Sequence, residues 1–167
     1  MGDIIFYIKS FVIFSFLGFL FESFIYKASA SNRHSGALFG PYTLVYGTGF
    51  TLNLFIFRVL NLDINFFNIL LYYFLFCFGA TTCEFLFGHL INFIFHIDLW
   101  DYSSYKDNLG KYICIKYFFL WGLISFFIIF FGYNFLIIFF NIVSDKFTLF
   151  IVLVMFVDFL VSLKKTF

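Results

Sequence analysis

The sequence predicts an all-α, polytopic membrane helical bundle of about five transmembrane helices, as three observations indicate. Hydrophobic residues make up 63% of the 167 residues, whereas charged residues make up 11%. A soluble domain needs about a quarter charged residues to cover its surface. The apolar runs are long enough for bilayer-crossing helices of about 20 residues each. The net charge of +1 argues against the basic surface that a nucleic-acid partner would require.

The first two predicted spans cover residues 4–27 and 41–60. The first run is apolar except for a few residues such as Glu22, and as a helix it extends about 35 Å, enough to cross the hydrocarbon core. A short polar loop, residues 27–36, precedes the second span. The chain is therefore expected to cross the bilayer twice before it reaches the third apolar run.

Three further spans are predicted at residues 64–96, 112–131 and 147–163. The run 64–96 would be about 50 Å long as a helix, which exceeds the bilayer core, and it contains no turn signal. One long helix or a broken one is therefore expected there. The fourth span should end where Gly-Tyr-Asn, residues 132–134, interrupts the apolar run. Residues 135–143 should then lie at the membrane interface, and the whole chain forms a single transmembrane domain.

The distribution of basic residues predicts an N-terminus outside the cell and a C-terminus inside it. With five spans, seven of the ten Lys and Arg residues fall on the inner side, as the positive-inside rule requires. These seven are Lys27, Arg33, Lys106, Lys111, Lys116, Lys164 and Lys165, while Lys9, Arg58 and Lys146 belong to the outer half. We therefore expect a multi-pass protein of the cytoplasmic membrane, in contact with membrane lipids.

Two glutamates lie inside predicted spans. An acidic side chain there costs about 2.5–3.5 kcal/mol on insertion scales and usually faces a protein interior or an aqueous cavity. Glu22 could instead extend toward the inner surface, whereas Glu84 lies well before His96 and should be deep in the membrane. Asp158 is a third acid of this kind. Because His89 does not share the helix face of Glu84, no metal site is predicted, and no cofactor is expected.

The segment GPYTLVYG, residues 40–47, is unusual for a membrane span. Pro41 suits the first turn of a helix, and the glycines permit close helix packing or a non-helical backbone. Such backbone is tolerated in a membrane only where protein or water satisfies it. The segment therefore either packs helices through small residues or forms a re-entrant start that lines a site. Its candidate site residues are Gly40, Pro41, Tyr42 and Tyr46.

The stretch WDYSSYKDNLGKY, residues 100–112, is the longest one without an apolar run. Trp100 and Tyr102 have amphipathic rings that suit the headgroup level of a membrane. Asp101 and Asn108 supply hydrogen-bonding groups beside a turn. The stretch is either a solvated connector or a loop that Asp101 and Asn108 hold in one shape, and under the predicted orientation it faces the cytoplasm.

Several short motifs occur in a recognisable order along the chain. They are Gly18-Phe19-Leu20-Phe21-Glu22, Gly40-Pro41-Tyr42 with Tyr46-Gly47, Glu84, Trp100-Asp101-Tyr102-Ser103, Asn108-Leu109-Gly110, Cys114 and Trp121-Gly122. With these motifs, over roughly residues 11–125, the chain resembles the bacterial family named putative ABC-transporter type IV, or putative ABC transporter permease. The resemblance implies a transporter component whose substrate is not specified.

A permease of this kind would need a separate ATPase subunit. The sequence contains no G-x-x-x-x-G-K-[ST] phosphate-binding loop, since Gly110 and Lys111 are followed by Tyr112. An ATPase subunit would act in trans, with the loop 97–111 as its docking surface. Five spans are also few for a translocation path, so a homo-oligomer or a larger partner is expected. In this interpretation Glu22 and Glu84 line the path.

Two other functions remain open at the level of sequence. The chain could be a small membrane enzyme that acts on a lipid or isoprenoid head group at the inner interface, with Glu84 and Asp101 as its acids. Trp100, Tyr102 and Asn108 would then place the head group, although no nucleophile–base pair stands beside them. Alternatively, the chain could be a non-catalytic membrane scaffold whose polar groups serve packing. An ATPase partner would favour the transporter, and lipid turnover would favour the enzyme.

Overall fold

The computed structural model describes residues 3–28 and 38–166, with side chains over residues 4–24 and 38–164. Regular structure in these residues consists of five helices and one isolated β-bridge. The helices are α1 (Asp3–Ala28), α2 (Leu44–Leu60), α3 (Phe66–Phe95), α4 (Ile115–Ile142) and α5 (Asp145–Thr166). The predicted all-α bundle is confirmed. Arg33 in the first polar loop and the side chains of Lys27 and Lys165 lie outside the described residues.

Four of the helices contain an apolar stretch that is long enough to cross a membrane. These stretches are Ile4–Phe24, Phe66–Phe95, Ile115–Ile142 and Asp145–Lys164. The helix α2 is also apolar but has only 17 residues, which gives it a length of about 25 Å. This is at the lower limit for crossing the hydrocarbon core.

Helices that follow one another in the sequence run antiparallel, and polar contacts join α1 to α2. The amide of Thr43 donates to the carbonyl of Ser15 at 2.9 Å, and the hydroxyl of Thr51 donates to that of Ser10 at 2.9 Å. The start of α2 therefore lies beside the middle of α1. The helix α3 packs against α2, and α4 packs against α3.

This alternation gives the described bundle two ends, which carry different polar groups. The cavity end comprises residues 38–43, residues 97–114 and the last turns of α5. The lysine end comprises the first turns of α1, residues 61–65 and residues 143–144. Each end buries a charged side chain, and the two ends do so in different ways.

The apolar core occupies the half of the bundle nearer the lysine end. Its buried members are Phe6, Phe14, Phe50, Leu54, Tyr72, Phe76, Ile129, Leu136 and Phe140.

Two glycines allow the helices to approach closely. A Cβ atom at Gly47 would meet Ser15 and Phe11 of α1, and one at Gly122 would meet Cys77 of α3. Small residues at such crossings are typical of helix packing in membranes.

Two expectations about the helix boundaries were wrong. The helix α4 continues through residues 132–134 to Ile142, so residues 135–143 are not a separate interfacial piece. Glycine in a helix costs about 1 kcal/mol, whereas backbone groups left unpaired in an apolar medium cost several, so the helix persists. Pro41 lies in a bend before α2, not in its first turn. The open question about residues 64–96 is settled, because α3 is one continuous helix.

Candidate functional site

A cavity of about 550 Å³ lies at the cavity end, between α1, α2, α3 and α4, and the loop of residues 97–114 forms part of its wall. Three acidic residues line it, Glu22, Glu84 and Asp101. Its larger aromatic side chains come from both the helices and the loop. They include Phe21, Tyr46, Trp100, Tyr102, Tyr117 and Trp121. The cavity volume falls in the range of about 300–1,000 Å³ that is typical of small-molecule sites.

Glu84 lies on α3, more than two turns from the end of this helix, and its residue is only 7% exposed. One carboxyl oxygen, Oε1, accepts hydrogen bonds from the hydroxyl of Tyr102 at 2.6 Å and from the indole nitrogen of Trp121 at 3.3 Å. The other oxygen, Oε2, is buried and has no hydrogen-bond partner in the described structure. An unsatisfied buried acceptor costs about 1–3 kcal/mol, and more when it is charged. The carboxyl group is therefore only half satisfied within this chain.

Glu22 lies on α1 and is half-buried. Its carboxylate accepts from the hydroxyl of Thr43 at 3.5 Å, and the side chain of Tyr46 is a further hydrogen-bond partner. Both partners belong to the start of α2. Glu22 thus faces the neighbouring helix and the cavity, where it shares the lining with Glu84.

The loop of residues 97–114 folds back on itself and is held by backbone hydrogen bonds. The amide of Tyr102 donates to the carbonyl of Lys111 at 2.8 Å, and the amide of Ile115 donates to that of Asp107 at 3.0 Å. These bonds turn Tyr102 inward, so that this residue is buried and its hydroxyl reaches Glu84. The loop therefore closes part of the cavity end.

Asn108 fixes the shape of this loop from within. Its side-chain amide donates to the carbonyls of Ser103 at 3.0 Å and Tyr105 at 2.8 Å. Its side-chain oxygen accepts from the amide of Gly110 at 3.4 Å, where φ is 108° and glycine is the residue that adopts such a backbone without strain. Asn108 does not line the cavity, so the structure gives it a position that supports the loop.

Charged groups of the loop pair with one another at its surface. Lys111 donates to Asp98 at 2.7 Å, and the hydroxyl of Tyr112 donates to the same carboxylate at 2.6 Å. The hydrogen bond from Lys111, followed by that from Tyr112, lowers the pKa of Asp98, and the bond with Asp98 raises the pKa of Lys111. Asp101 accepts from the amide of Ser103 at 2.8 Å, and hydrogen bonding to Ser103 lowers its pKa.

Burial, followed by the charge of Glu84, raises the pKa of Tyr102. The phenol therefore keeps its proton at neutral pH and acts as a hydrogen-bond donor to Glu84. A tyrosine that keeps its proton in this way does not act as a base. The hydrogen bond from Tyr102 to Glu84 also holds the loop against the helix α3.

The segment before α2 is held by a second acid, on α5. The carboxylate of Asp158 accepts from the amides of Gly40 at 2.8 Å and Phe39 at 3.2 Å, and from the hydroxyls of Tyr42 and Ser162. Burial and this contact with Asp158 raise the pKa of Tyr42. The non-helical backbone of the segment is thus satisfied by protein, as a membrane protein requires.

The structure brings together only part of the set of residues that the sequence singled out. Glu22, Tyr46, Glu84, Trp100, Asp101 and Tyr102 line one cavity. Gly40, Pro41, Tyr42 and Asn108 do not line it. Of the segment GPYTLVYG, only its helical second half contributes to the lining, through Val45 and Tyr46.

Most of the other lining residues were not chosen as site candidates, and these include Tyr117 and Trp121 of α4. Their rings stack at 5.9 Å, and the ring of Tyr117 stacks on that of Tyr102 at 4.9 Å. The spacing of four residues places Tyr117 and Trp121 on one helix face, which is a signal that the sequence offered. It does not indicate which helix or loop that face meets.

The cavity is acidic and aromatic in character. No Lys, Arg or His is present among the described residues that line it. No group of three His, Cys, Asp or Glu side chains suited to a metal ion occurs within the described part of the chain. Such a site can accept hydrogen bonds and can stabilise a positive charge, but it offers no nucleophile–base pair of Cys or His.

Comparison with known proteins gives a match to one family. The family model described as "Putative ABC-transporter type IV" matches residues 9–167, which confirms the resemblance and extends it over α5. No curated protein matches the chain, and no solved structure matches it.

Proposed function

Since the chain belongs to the putative ABC-transporter type IV family, we propose that it is the membrane-spanning component of a transporter and that its cavity is the substrate site. The family and the four helices that are able to cross a membrane indicate a multi-pass membrane protein of transporter type. The proposal adds a place for the substrate within the bundle.

The observation that carries this proposal is the pair of acids in the cavity. Glu22 and Glu84 lie in apolar helices and line the same space, without a described basic partner in that space. Ionisable residues within membrane helices commonly mark the path of a substrate or an ion. A purely structural acid would be expected to have both oxygens paired, which Glu84 does not.

A separate ATPase subunit would supply the energy for transport. The sequence lacks a phosphate-binding loop of the G-x-x-x-x-G-K-[ST] type, and one copy of a five-helix chain leaves few helices to enclose a path. We therefore place the chain in a homo-oligomer or a larger complex. The surface of the loop 97–114 suits a docking partner, because Ser103, Ser104 and Lys106 are exposed on a loop that internal hydrogen bonds hold in shape.

The basic residues support our proposed orientation of the bundle. Lys106, Lys111, Lys116 and Lys164 lie at or near the cavity end, and Lys9, Arg58 and Lys146 belong to the other half. The positive-inside rule then places the cavity end at the cytoplasmic face. A cytoplasmic ATPase could reach the loop in this orientation, in the cytoplasmic membrane of a bacterium.

The proposal is tested by purification of the tagged chain from native membranes in mild detergent. We expect an ATP-hydrolysing subunit to co-purify and the eluate to hydrolyse ATP. The variant Ser104→Trp, which alters the proposed docking loop, should lose this activity from the eluate. Asp63→Trp, on an exposed loop at the lysine end, is the matched control and should retain it. An intact wild-type chain that is recovered without any ATP hydrolysis would contradict the proposal.

A further inference from the structure

We propose that the cavity binds an organic cation, with an ammonium group held near Glu84 and Glu22 and an apolar part held by the surrounding rings. This inference rests on the proposed function in one respect, since the bound cation would be the substrate that is moved. Four properties of the cavity support it. They are its charge, its unsatisfied oxygen, its aromatic walls and its size.

The first property is an excess of negative groups. Glu22 and Glu84 line the cavity, and no basic side chain is present among the described lining residues. Asp101 also lines it, but this residue is exposed and lies near the charge of Lys111, so the argument rests on the two glutamates. A buried carboxylate without a counter-charge is strongly unfavourable in an apolar environment. A bound cation would supply the missing charge from outside the chain.

The second property is a defined position for a hydrogen-bond donor. The oxygen Oε2 of Glu84 is buried without a partner, while Oε1 is held by Tyr102 and Trp121. These two donors fix the carboxyl group in place, so that Oε2 does not need to reorganise when a ligand arrives. An ammonium group carries hydrogen-bond donors and positive charge together. An ammonium group can therefore supply both the hydrogen bond and the positive charge that this oxygen lacks.

The third property is the arrangement of the aromatic rings. The ring of Tyr46 stands nearly perpendicular to that of Trp121, at 87° and 5.6 Å between centroids. Phe21 is also steeply inclined to Trp121, at 74° and 6.3 Å. Rings at such angles form different walls of one space. Aromatic faces attract cations within about 6 Å, and aromatic cages recognise alkylated ammonium groups in this way.

The fourth property is the size and apolar remainder of the cavity. A volume of about 550 Å³ is far larger than a metal ion needs, and no metal-binding group of three ligands occurs in the described residues. Apolar side chains such as Leu17, Ile124 and Ile128 complete the lining. They would accommodate a hydrocarbon or aromatic part of the ligand. An amphipathic organic cation therefore fits this space better than an inorganic one.

The two tryptophans allow a direct test, because they are the only two in the sequence and both line the cavity. Tryptophan fluorescence of the purified chain in detergent, excited at about 295 nm to avoid the tyrosines, therefore reports on this site. Three probes with the same phenylbutyl group should be titrated: 4-phenylbutylammonium, 4-phenylbutan-1-ol and 4-phenylbutyrate. We expect a saturable change with the ammonium, at least about tenfold tighter than with the neutral alcohol, and none with the carboxylate.

The variants separate charge recognition from apolar partitioning. Glu84→Gln should weaken binding of the ammonium about tenfold and leave the response to the alcohol unchanged. Asp63→Asn removes the same charge at the lysine end and should bind the ammonium as the wild type does. If Glu84→Gln does not fold, Glu22→Gln serves as the second variant, with the alcohol response as the check on folding. Equal affinity for all three probes, or an ammonium affinity that neither variant lowers, overturns the inference.

The outcome is independent of the test of the proposed function. Recovery of an ATPase subunit with no selective binding of the ammonium would leave the transporter standing and remove the organic cation as its substrate class. Selective, Glu84-dependent binding without any ATPase partner would establish the cation site and contradict the transporter.

Discussion

The two ends of the bundle bury charge in opposite ways. At the lysine end, Lys9 is only 1% exposed, and its ammonium group donates to the carbonyl of Phe140 at 2.8 Å and lies 2.5 Å from the carboxylate of Asp145. At the cavity end, Glu84 is almost as buried but meets only the neutral donors Tyr102 and Trp121. Lys9 has a carboxylate beside it, whereas Glu84 has no basic partner among the residues that the structure describes.

We interpret this difference as one between a structural side chain, Lys9, and a proposed ligand-binding side chain, Glu84. A buried charge with its counter-ion and hydrogen bonds is stable in place, and loss of the counter-ion is costly. A buried charge without a counter-ion lowers stability, and proteins commonly accept such a cost at sites that bind a ligand. The comparison therefore predicts that substitutions at the two ends act on different properties: on stability at the lysine end and on ligand binding at the cavity end.

The largest expected effect concerns which end faces the cytoplasm and is all-or-none. A cysteine introduced at Ser104, on the cavity end, should be protected from a membrane-impermeant thiol reagent in intact cells. One introduced at Asp63, on the lysine end, should be labelled. The native cysteines are buried and should contribute little background. Labelling at position 104 with protection at position 63 would reverse the orientation and remove the proposed cytoplasmic docking loop.

Loss of the counter-ion at the lysine end should cost about 2–3 kcal/mol of unfolding free energy. Asp145→Ala removes the carboxylate that lies beside the buried ammonium of Lys9, and breaking a buried pair typically costs about 3–5 kcal/mol. We expect a smaller loss of unfolding free energy than for a fully buried pair, because the Asp145 side chain is 59% exposed. Equilibrium unfolding in mixed micelles measures the change. Adding Lys9→Met should recover most of the loss, and a double variant as unstable as Asp145→Ala alone would contradict the pairing.

Removal of the donor to Glu84 should cost about 1.5–2 kcal/mol and loosen the loop. Tyr102→Phe keeps the ring but deletes a hydrogen bond of 2.6 Å to a carboxyl group, and bonds of this kind contribute about 1.5–3 kcal/mol. Amide hydrogen exchange over residues 97–114 should accelerate, while exchange in α1 stays as in the wild type. Tyr105→Phe is the control, because its hydroxyl pairs with that of Tyr117 at 3.3 Å. Equal acceleration in both variants would count against the Glu84 contact.

Within the loop, Asn108→Ala should cost about 1 kcal/mol of local stability, because it removes two hydrogen bonds to backbone carbonyls. Ser104→Ala and Lys106→Ala change exposed side chains and should alter stability by less than about 0.5 kcal/mol. The comparison is made by amide hydrogen exchange over residues 97–114. Three indistinguishable variants would identify the loop as a simple connector.

The smallest expected change in stability belongs to Glu84→Gln. The amide oxygen can still accept from Tyr102 and Trp121, and an unfavourable buried charge is removed, so the unfolding free energy should stay close to that of the wild type or rise. Unfolding in mixed micelles and the amount of protein in the membrane provide the measurement. If so, Glu84 is dispensable for folding, and its proposed role is in ligand binding. A loss of several kcal/mol would instead make Glu84 a structural partner.

The candidate site could be predicted in part. An acid in an apolar span is conspicuous, so Glu22 and Glu84 could be chosen from the sequence, and the structure places both on one cavity. Their functional role stays a prediction. Tyr117 and Trp121 were not chosen, because aromatic residues are common in this sequence and nothing local distinguishes those that face a cavity. Gly40, Pro41 and Tyr42 looked like a site, but Asp158 holds this segment away from the cavity lining.

The amino-acid sequence alone indicates the all-α membrane class, the approximate positions of the helices and the family. These properties follow from composition, run length and motif order, because a bilayer requires apolar helices of a certain length wherever they lie in the fold. It did not determine where α4 ends, since an isolated glycine does not reveal whether unpaired backbone could be tolerated there.

Which charges are paired depends on the tertiary structure. The contact from Tyr102 to Glu84 joins residues 18 positions apart, that from Trp121 joins residues 37 apart, and the bond from Lys9 to Phe140 spans 131 positions. Hydrogen bonds and ion pairs act over a few ångströms, so their partners are fixed by helix packing and not by proximity in the sequence. The sequence shows that charges are buried, and the packing of the helices decides that Lys9 is neutralised within the chain while Glu84 keeps an oxygen unpaired.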